Sequence, residues 1–184
     1  MTLPQAVPRD GTIDGMFTVP TIETPRLNLR AFRLSDLDAY AAMCADAEVM
    51  RHIGSGGTVE RDVAWRHMAL FLGSFALIGC GMWAIQRRSD GVLIGRAGFL
   101  NPEGWPGCEL GWLLARDAWG EGYAYEASRA ALDFGRREQG LREVISLIRP
   151  DNRRSIALAE RLGARNTGPI DFMGSPSLRY RHAD

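Results

Sequence analysis

Between residues 23 and 33, Leu27 and Leu29 alternate with Arg26, Asn28 and Arg30, the period-two pattern of a half-buried strand. The period then lengthens. Leu37, Tyr40, Ala41 and Cys44 recur at helical spacing behind Ser35, which with Asp38 three residues on forms a variant capping box. Gly54, Gly56 and Gly57 mark a loop. Thr58 then stands as a second cap, and Val59, Val63, His67, Leu70 and Phe71 share one face of a second helix. Residues 68–85 carry no charge and approach the length of a membrane span. Gly73, Ser74, Gly79 and Gly81 interrupt that run, so it reads as a helix end, a turn and a buried strand.

Residues 82–87 and 92–99 form a hairpin around Arg88-Ser89-Asp90-Gly91, since Asp-Gly is a strong turn signal. Two prolines and two glycines make 101–107 a surface loop. Residues 108–114 are apolar enough for a strand buried on both faces. A helix over 123–139 follows Gly120-Glu121-Gly122 and stops at Gly140. A short buried strand (144–148), a helix (152–162) halted at Gly163, and strands near 165–170 and 177–182 complete the chain. The order β-α-α-β-β-β-α-β-α-β-β predicts an α/β (α+β) domain, one central mixed sheet with helices on both faces. Residues 1–21, rich in Pro, Gly, Thr and Asp, read as a flexible arm before a domain spanning 22–184.

The length of 184 residues suits one such domain, and a hydrophobic fraction of 46% supplies a full core. Basic and acidic residues balance at 22 each, leaving no excess to hold a nucleic-acid backbone. Every basic residue is Arg. The absence of Lys excludes a P-loop lysine, a Schiff base and a kinase-type phosphate lysine. Cys44, Cys80 and Cys108 are scattered, as are His52, His67 and His182, so no metal site is expected and the cysteines read as buried hydrophobes. With no secretory leader pattern, a cytoplasmic setting and no membrane attachment are expected.

The chemistry concentrates in Glu109-Leu110-Gly111-Trp112-Leu113-Leu114 and Trp119-Gly120-Glu121-Gly122-Tyr123-Ala124-Tyr125-Glu126-Ala127. Glycines let backbone approach a phosphate closely, and the first-turn N–H groups of the following helix point at it. An acid at Glu121 would repel a pyrophosphate unless its side chain faces solvent. A Gly-x-Gly alone is equally a tight turn into a core helix.

This stretch resembles motif A of the GNAT acetyltransferases, with Gly122 and Ala124 at the two small positions. Trp119, where Gln or Arg is usual, resembles the RimJ/RimL-type branch. Thr24-Pro25-Arg26-Leu27-Asn28-Leu29-Arg30 is similar to that branch's opening strand. So are Glu48-Val49-Met50-Arg51-His52-Ile53-Gly54 to its first helix connection and residues 90–99 to its hairpin. Asn152-Arg153-Arg154-Ser155-Ile156 with Arg161-Leu162-Gly163-Ala164 matches its N-x-x-S helix and stop. The resemblance runs from Thr24 to Tyr180.

That resemblance implies a GNAT-like acyl-CoA N-acyltransferase fold, with acetyl-CoA as co-substrate in a splay between 109–114 and 144–148. The pyrophosphate would rest on the backbone N–H groups of Glu121, Gly122, Tyr123 and Ala124, with Trp119 and Gly120 also among the cofactor-binding residues. Leu113 and Leu114 would meet the pantetheine arm, with the Leu113 amide polarising the thioester carbonyl. Asn152 would cap its helix and touch the same arm, and Arg154 would reach a CoA phosphate or stay solvated. Catalysis needs an amine deprotonated and a thiolate protonated. Glu109 is the candidate base, or a structural Glu paired with an Arg. Ser155 is the candidate acid, or a first-turn Ser bonding backbone. Tyr123 and Tyr125 are alternative donors, and Trp105 would line the acceptor mouth or pack. The implied reaction is direct acetyl transfer in a ternary complex to a primary amine, either a protein N-terminus or a small molecule. A non-catalytic acyl-CoA-binding module and a dinucleotide-binding domain are the alternatives, and a homodimer is expected by analogy.

Overall fold

The computed structural model describes residues 12–13 and 17–183. Most of the expected arm lies outside them, but its described end is packed. Strand β1 (Thr12–Ile13) pairs antiparallel with β2 (Phe17–Thr18). Val19 is buried in the core, and the Pro20 carbonyl accepts from the Trp83 indole at 2.7 Å. A buried indole N–H needs an acceptor, and this segment supplies it.

The expected opening strand is a bent pair. β3 (Ile22–Glu23) turns at Pro25 and pairs with β4 (Leu27–Arg30), Ile22 against Leu29. Ser35 caps no helix. It lies inside a 3-10 turn over Leu34–Asp36 that leads into α1 (Leu37–Ala45). Asp36 organises the turn instead, accepting from the Arg33 N–H at 2.7 Å and from both Arg30 amino groups at 2.7 and 2.8 Å. α2 (Ala47–Met50) is capped by the Asp46 carboxylate.

α3 (Arg61–Ile78) starts three residues after Thr58, without a side-chain cap. Its buried face is Ala64, Met68, Phe71, Ser74 and Phe75, and Leu70 is 46% exposed. The helix is apolar nearly all round, so sequence periodicity could not fix its rotation. Gly73 and Ser74 stay helical, the Ser74 hydroxyl donating to the Leu70 carbonyl, and Gly79 at φ 73° ends the helix.

The remaining elements follow the expected order: β5 (Met82–Arg87), β6 (Leu93–Leu100), β7 (Cys108–Leu114), α4 (Tyr123–Glu138), β8 (Val144–Ile148), α5 (Arg153–Arg161), β9 (Ala164–Phe172) and β10 (Ser175–His182). The sheet has eight strands in the order β3-β4-β5-β6-β7-β8-β10-β9. Neighbours are antiparallel except β7 and β8.

Alternation along the strands builds two cores. Leu110 and Leu114 join Ile85, Ala97, Phe99 and the α4 residues Ala127, Ala131 and Leu132 on one face. Leu113 joins Met82, Tyr40, Met43, Phe71 and Met68 on the other, beneath α1–α3. α4 lies close because its inner face is small. A Cβ on Gly135 would stand 2.6 Å from the Phe99 ring.

Candidate active site

β7 and β8 are paired only at Cys108–Val144 and Glu109–Ile145. The Ser146 hydroxyl adds one tie, donating to the Leu110 carbonyl at 2.7 Å. Beyond it the strands part. The gap opens into a cleft of about 820 Å³ that runs between α2 on one face and the starts of α4 and α5 on the other. Trp112, Leu113 and Leu114 form its floor. Trp119, Gly120, Gly122, Tyr123 and Ala124 form one wall, and Asn152, Arg154 and Ser155 the opposite one. β7 is therefore not buried throughout: Cys108, Glu109, Gly111 and Trp112 are half-buried, whereas Leu110, Leu113 and Leu114 are buried.

The first wall is a glycine turn leading into a helix start. Gly120 and Gly122 have φ of 84° and 78°, which L side chains rarely adopt. Gly122 is the N-cap of α4 and brings no side chain to its end. The N–H groups of Tyr123 and Ala124 thus lie in a first turn that the helix cannot satisfy. Sixteen aligned peptides add a positive field there. Glu121 is exposed and turned away from this cleft, lining a neighbouring groove of about 660 Å³ with Arg26, Arg129 and Arg161.

Each aromatic ring of the loop carries an arginine. Arg154 lies over Trp119 at 4.5 Å, Arg26 over Tyr123 at 4.5 Å and Arg161 over Tyr125 at 4.1 Å. The Trp119 ring is held from behind by its N–H to the Leu114 carbonyl at 3.0 Å. Tyr123 and Tyr125 are thus stacking partners that also line the cleft. Sequence reading missed Arg26 and Arg161. Arg161 sits two turns beyond Arg154 on α5, and that spacing was the available signal.

Asn152 caps α5, its side-chain oxygen accepting from the Ser155 N–H at 3.2 Å. The Ser155 hydroxyl bonds no backbone carbonyl. It accepts from the Trp112 indole at 3.2 Å, which leaves its own proton to donate into the cleft.

Glu109 stands apart from these groups. It is not part of the cleft lining. It sits at the closed end of the splay, about 13 Å along the strand from Leu113 at ~3.3 Å per residue. Alternation puts it on the same sheet face as Leu113, toward α1–α3. Its partner is not an Arg but the Trp105 indole, which donates to Oε2 at 2.7 Å. Burial pushes its carboxyl up, against the pull of the Trp105 N–H, the Leu147 backbone and Arg96. Trp105 packs edge-on to Phe172 at 4.7 Å, closing over Glu109.

Among the described residues, no group of three or more His, Cys, Asp or Glu is placed to hold a metal. No described helix is long and apolar enough to cross a membrane.

A family model described as acetyltransferase (GNAT) domain matches residues 26–165. A Bacillus subtilis protein described as uncharacterized N-acetyltransferase YnaD is 29% identical over 147 residues, 80% of this chain and 84% of its own. The crystal structure of an acetyltransferase from Agrobacterium tumefaciens str. C58 superposes with a TM-score of 0.81 at 32% identity, covering 91% of this chain and 96% of that one. The structure of the ribosomal L7/L12 alpha-N-protein acetyltransferase RimL in complex with coenzyme A has the same fold, with a TM-score of 0.75 at 18% identity over 89% of this chain and 98% of that one.

Proposed function

Since the chain belongs to the GNAT acetyltransferase family, we propose that it transfers an acetyl group from acetyl-CoA directly to a primary amine in a ternary complex. The observation that carries this reading is the meeting of two features. The β7–β8 splay opens where the uncapped start of α4 presents its N–H groups, and Ser155 holds an uncommitted proton across the gap.

The cleft fits the co-substrate by its donors. The N–H groups of Gly120, Gly122, Tyr123 and Ala124 suit a pyrophosphate. Arg154, free of any carboxylate within salt-bridge distance among the described residues, adds a cation at the same mouth. Acetyl-CoA supplies an activated thioester. The expected Leu113 N–H faces Arg96 of β6 in the antiparallel ladder, so a thioester carbonyl lying along β7 would instead meet the N–H groups of Trp112 and Leu114, whose backbone faces the splay, and Ser155 donates a proton to the departing sulfur. Glu109, half-buried and with its carboxyl pushed up by desolvation, draws the proton from the amine through intervening water, given its distance from the cleft floor.

The acceptor belongs to one of two classes, a protein N-terminus, as the RimJ/RimL-type motifs suggest, or a small amine. The position of Glu109 favours a second reading, a module that binds acyl-CoA without transferring it. Calorimetry with acetyl-CoA, with NAD and ATP as controls, tests the cofactor. At a hundred times Kd the fold gains about 2.7 kcal/mol. Thiol release against a panel of peptides and small amines then separates the two readings. Binding without release under any amine supports the second.

A further inference from the structure

Arg26 and the turn into α4 are 95 residues apart in sequence, yet one guanidinium holds three parts of the α4 start. Its Nε donates to Glu126 Oε2 at 2.6 Å, and its Nη1 donates to the Glu121 carbonyl at 2.9 Å. Its face covers the Tyr123 ring at 4.5 Å. Its Nη2 lies 3.6 Å from where a Cβ on Gly122 would stand. The arginine is itself fixed. Glu126 Oε1 also accepts from the Arg26 main-chain N–H at 2.9 Å and from the Thr24 hydroxyl at 2.6 Å.

These contacts act on the turn in two ways. The first is orientation. A trans peptide points its C=O and N–H in opposite directions. Arg26 lines the neighbouring groove and not the cleft, so drawing the Glu121 carbonyl toward itself turns the Gly122 N–H toward the cleft. The second is charge. Glu126 is in the first turn of α4, in the same positive field that a pyrophosphate would use, and its side chain is only 15% exposed. Unneutralised, that carboxylate would oppose an anion at the turn. Lysine has neither the planar face nor the forked donors for this set of contacts.

We propose that Arg26, locked by Glu126 and Thr24, is a positioning residue for the pyrophosphate loop: it aims the Gly122 N–H into the cleft and cancels the Glu126 charge beside it. This rests on the reading that the cleft takes CoA.

The test compares CoA with S-acetylpantetheine, which lacks the pyrophosphate, by titration calorimetry on the full chain. The proteins are wild type, Arg26→Met, Arg26→Lys, Glu126→Gln and the double variant Arg26→Met/Glu126→Gln. Arg26→Met should weaken CoA roughly 10-fold or more, the scale of one charge-assisted hydrogen bond, and leave acetylpantetheine unchanged. Arg26→Lys should recover only part of the loss. The double variant should bind CoA more tightly than Arg26→Met, because no uncompensated carboxylate remains. Equal weakening of both ligands would mean a merely structural role and overturn the proposal. So would unaltered CoA binding by Arg26→Met in a background where wild type binds. Wild type binding neither ligand would instead remove the acetyl-CoA reading on which the proposal rests, and the proposal with it.

Discussion

The Trp112 indole donates to the Ser155 hydroxyl at 3.2 Å across the mouth of the splay, joining the central strand to the first turn of α5. The bond uses a lone pair of the hydroxyl and leaves the proton available. Ser155→Ala should therefore lower kcat by about 10²-fold, the lower range for loss of a general acid, with CoA affinity changed by about twofold or less. Single-turnover thiol release together with calorimetry would separate the two effects. A matched loss of CoA affinity would make Ser155 a binding residue instead.

Glu109 gives the pH dependence its sign. Burial raises its carboxyl and the Trp105 N–H works against that rise. Only the ionised form accepts a proton, so kcat/KM should fall as pH drops through a limb above the ordinary carboxylate range. Trp105→Phe removes a donor that favours the ionised form and should move the limb to higher pH. Glu109→Gln should abolish the limb and lower the rate about 10²-fold. A pH–rate profile of the three proteins reads all of this directly.

His182 links stability to pH. It is 1% exposed, bonded at Nε2 to the Ser146 hydroxyl at 2.9 Å and unpartnered at Nδ1. Burial, assisted by Arg136, lowers its pKa from 6.5 to about 4. Between those values the unfolded chain binds more protons, so stability falls as pH falls through that window. The loss totals on the order of 3 kcal/mol. Urea unfolding at several pH values should show this slope in wild type and a flatter one in His182→Gln.

Arg30 and Asp36 form a buried bidentate pair, with side chains 8% and 6% exposed. Removing one member strands the other. Asp36→Ala should cost about 3–5 kcal/mol and lower Tm, whereas Arg30→Met/Asp36→Leu should restore much of it. Thermal unfolding of the single and double variants decides this. An Asp36→Ala protein as stable as wild type would show that the pair contributes nothing.

The elements from β5 onward were legible because Asp-Gly, Gly140 and Gly163 punctuate strong periodic segments. The turn into α4 was legible for the same reason, as glycine spacing is a local code. The amino-terminal half was harder. Ser35 and Thr58 have the chemistry of caps, but Asp36 was recruited by Arg30, six residues upstream, and α3 has apolar residues on every side. A pairing distant in sequence, such as Arg26 with Glu126, follows from the folded sheet, and the local pairing of Trp105 with Glu109 follows from an irregular loop; neither leaves a periodic trace. Glu109 matched its expected strand, but its distance from the cleft floor depends on where β7 and β8 separate, and hydropathy does not encode that point.

The placing of the parallel seam also divides the chain. Strands β3 to β7 on one side come from residues 22–114, and β8 to β10 on the other come from 144–182, with no strand crossing back. The sheet is thus two consecutive stretches of sequence, each antiparallel within itself, stitched at two residue pairs and bridged by α4. The longest-range pairing lies inside the first half, where Leu27 meets Arg87 across α1–α3, while the joint pairs Cys108 with Val144 across α4. That thinly stitched joint is where the cleft opens, so a ligand spanning both strands would act as a staple for the fold.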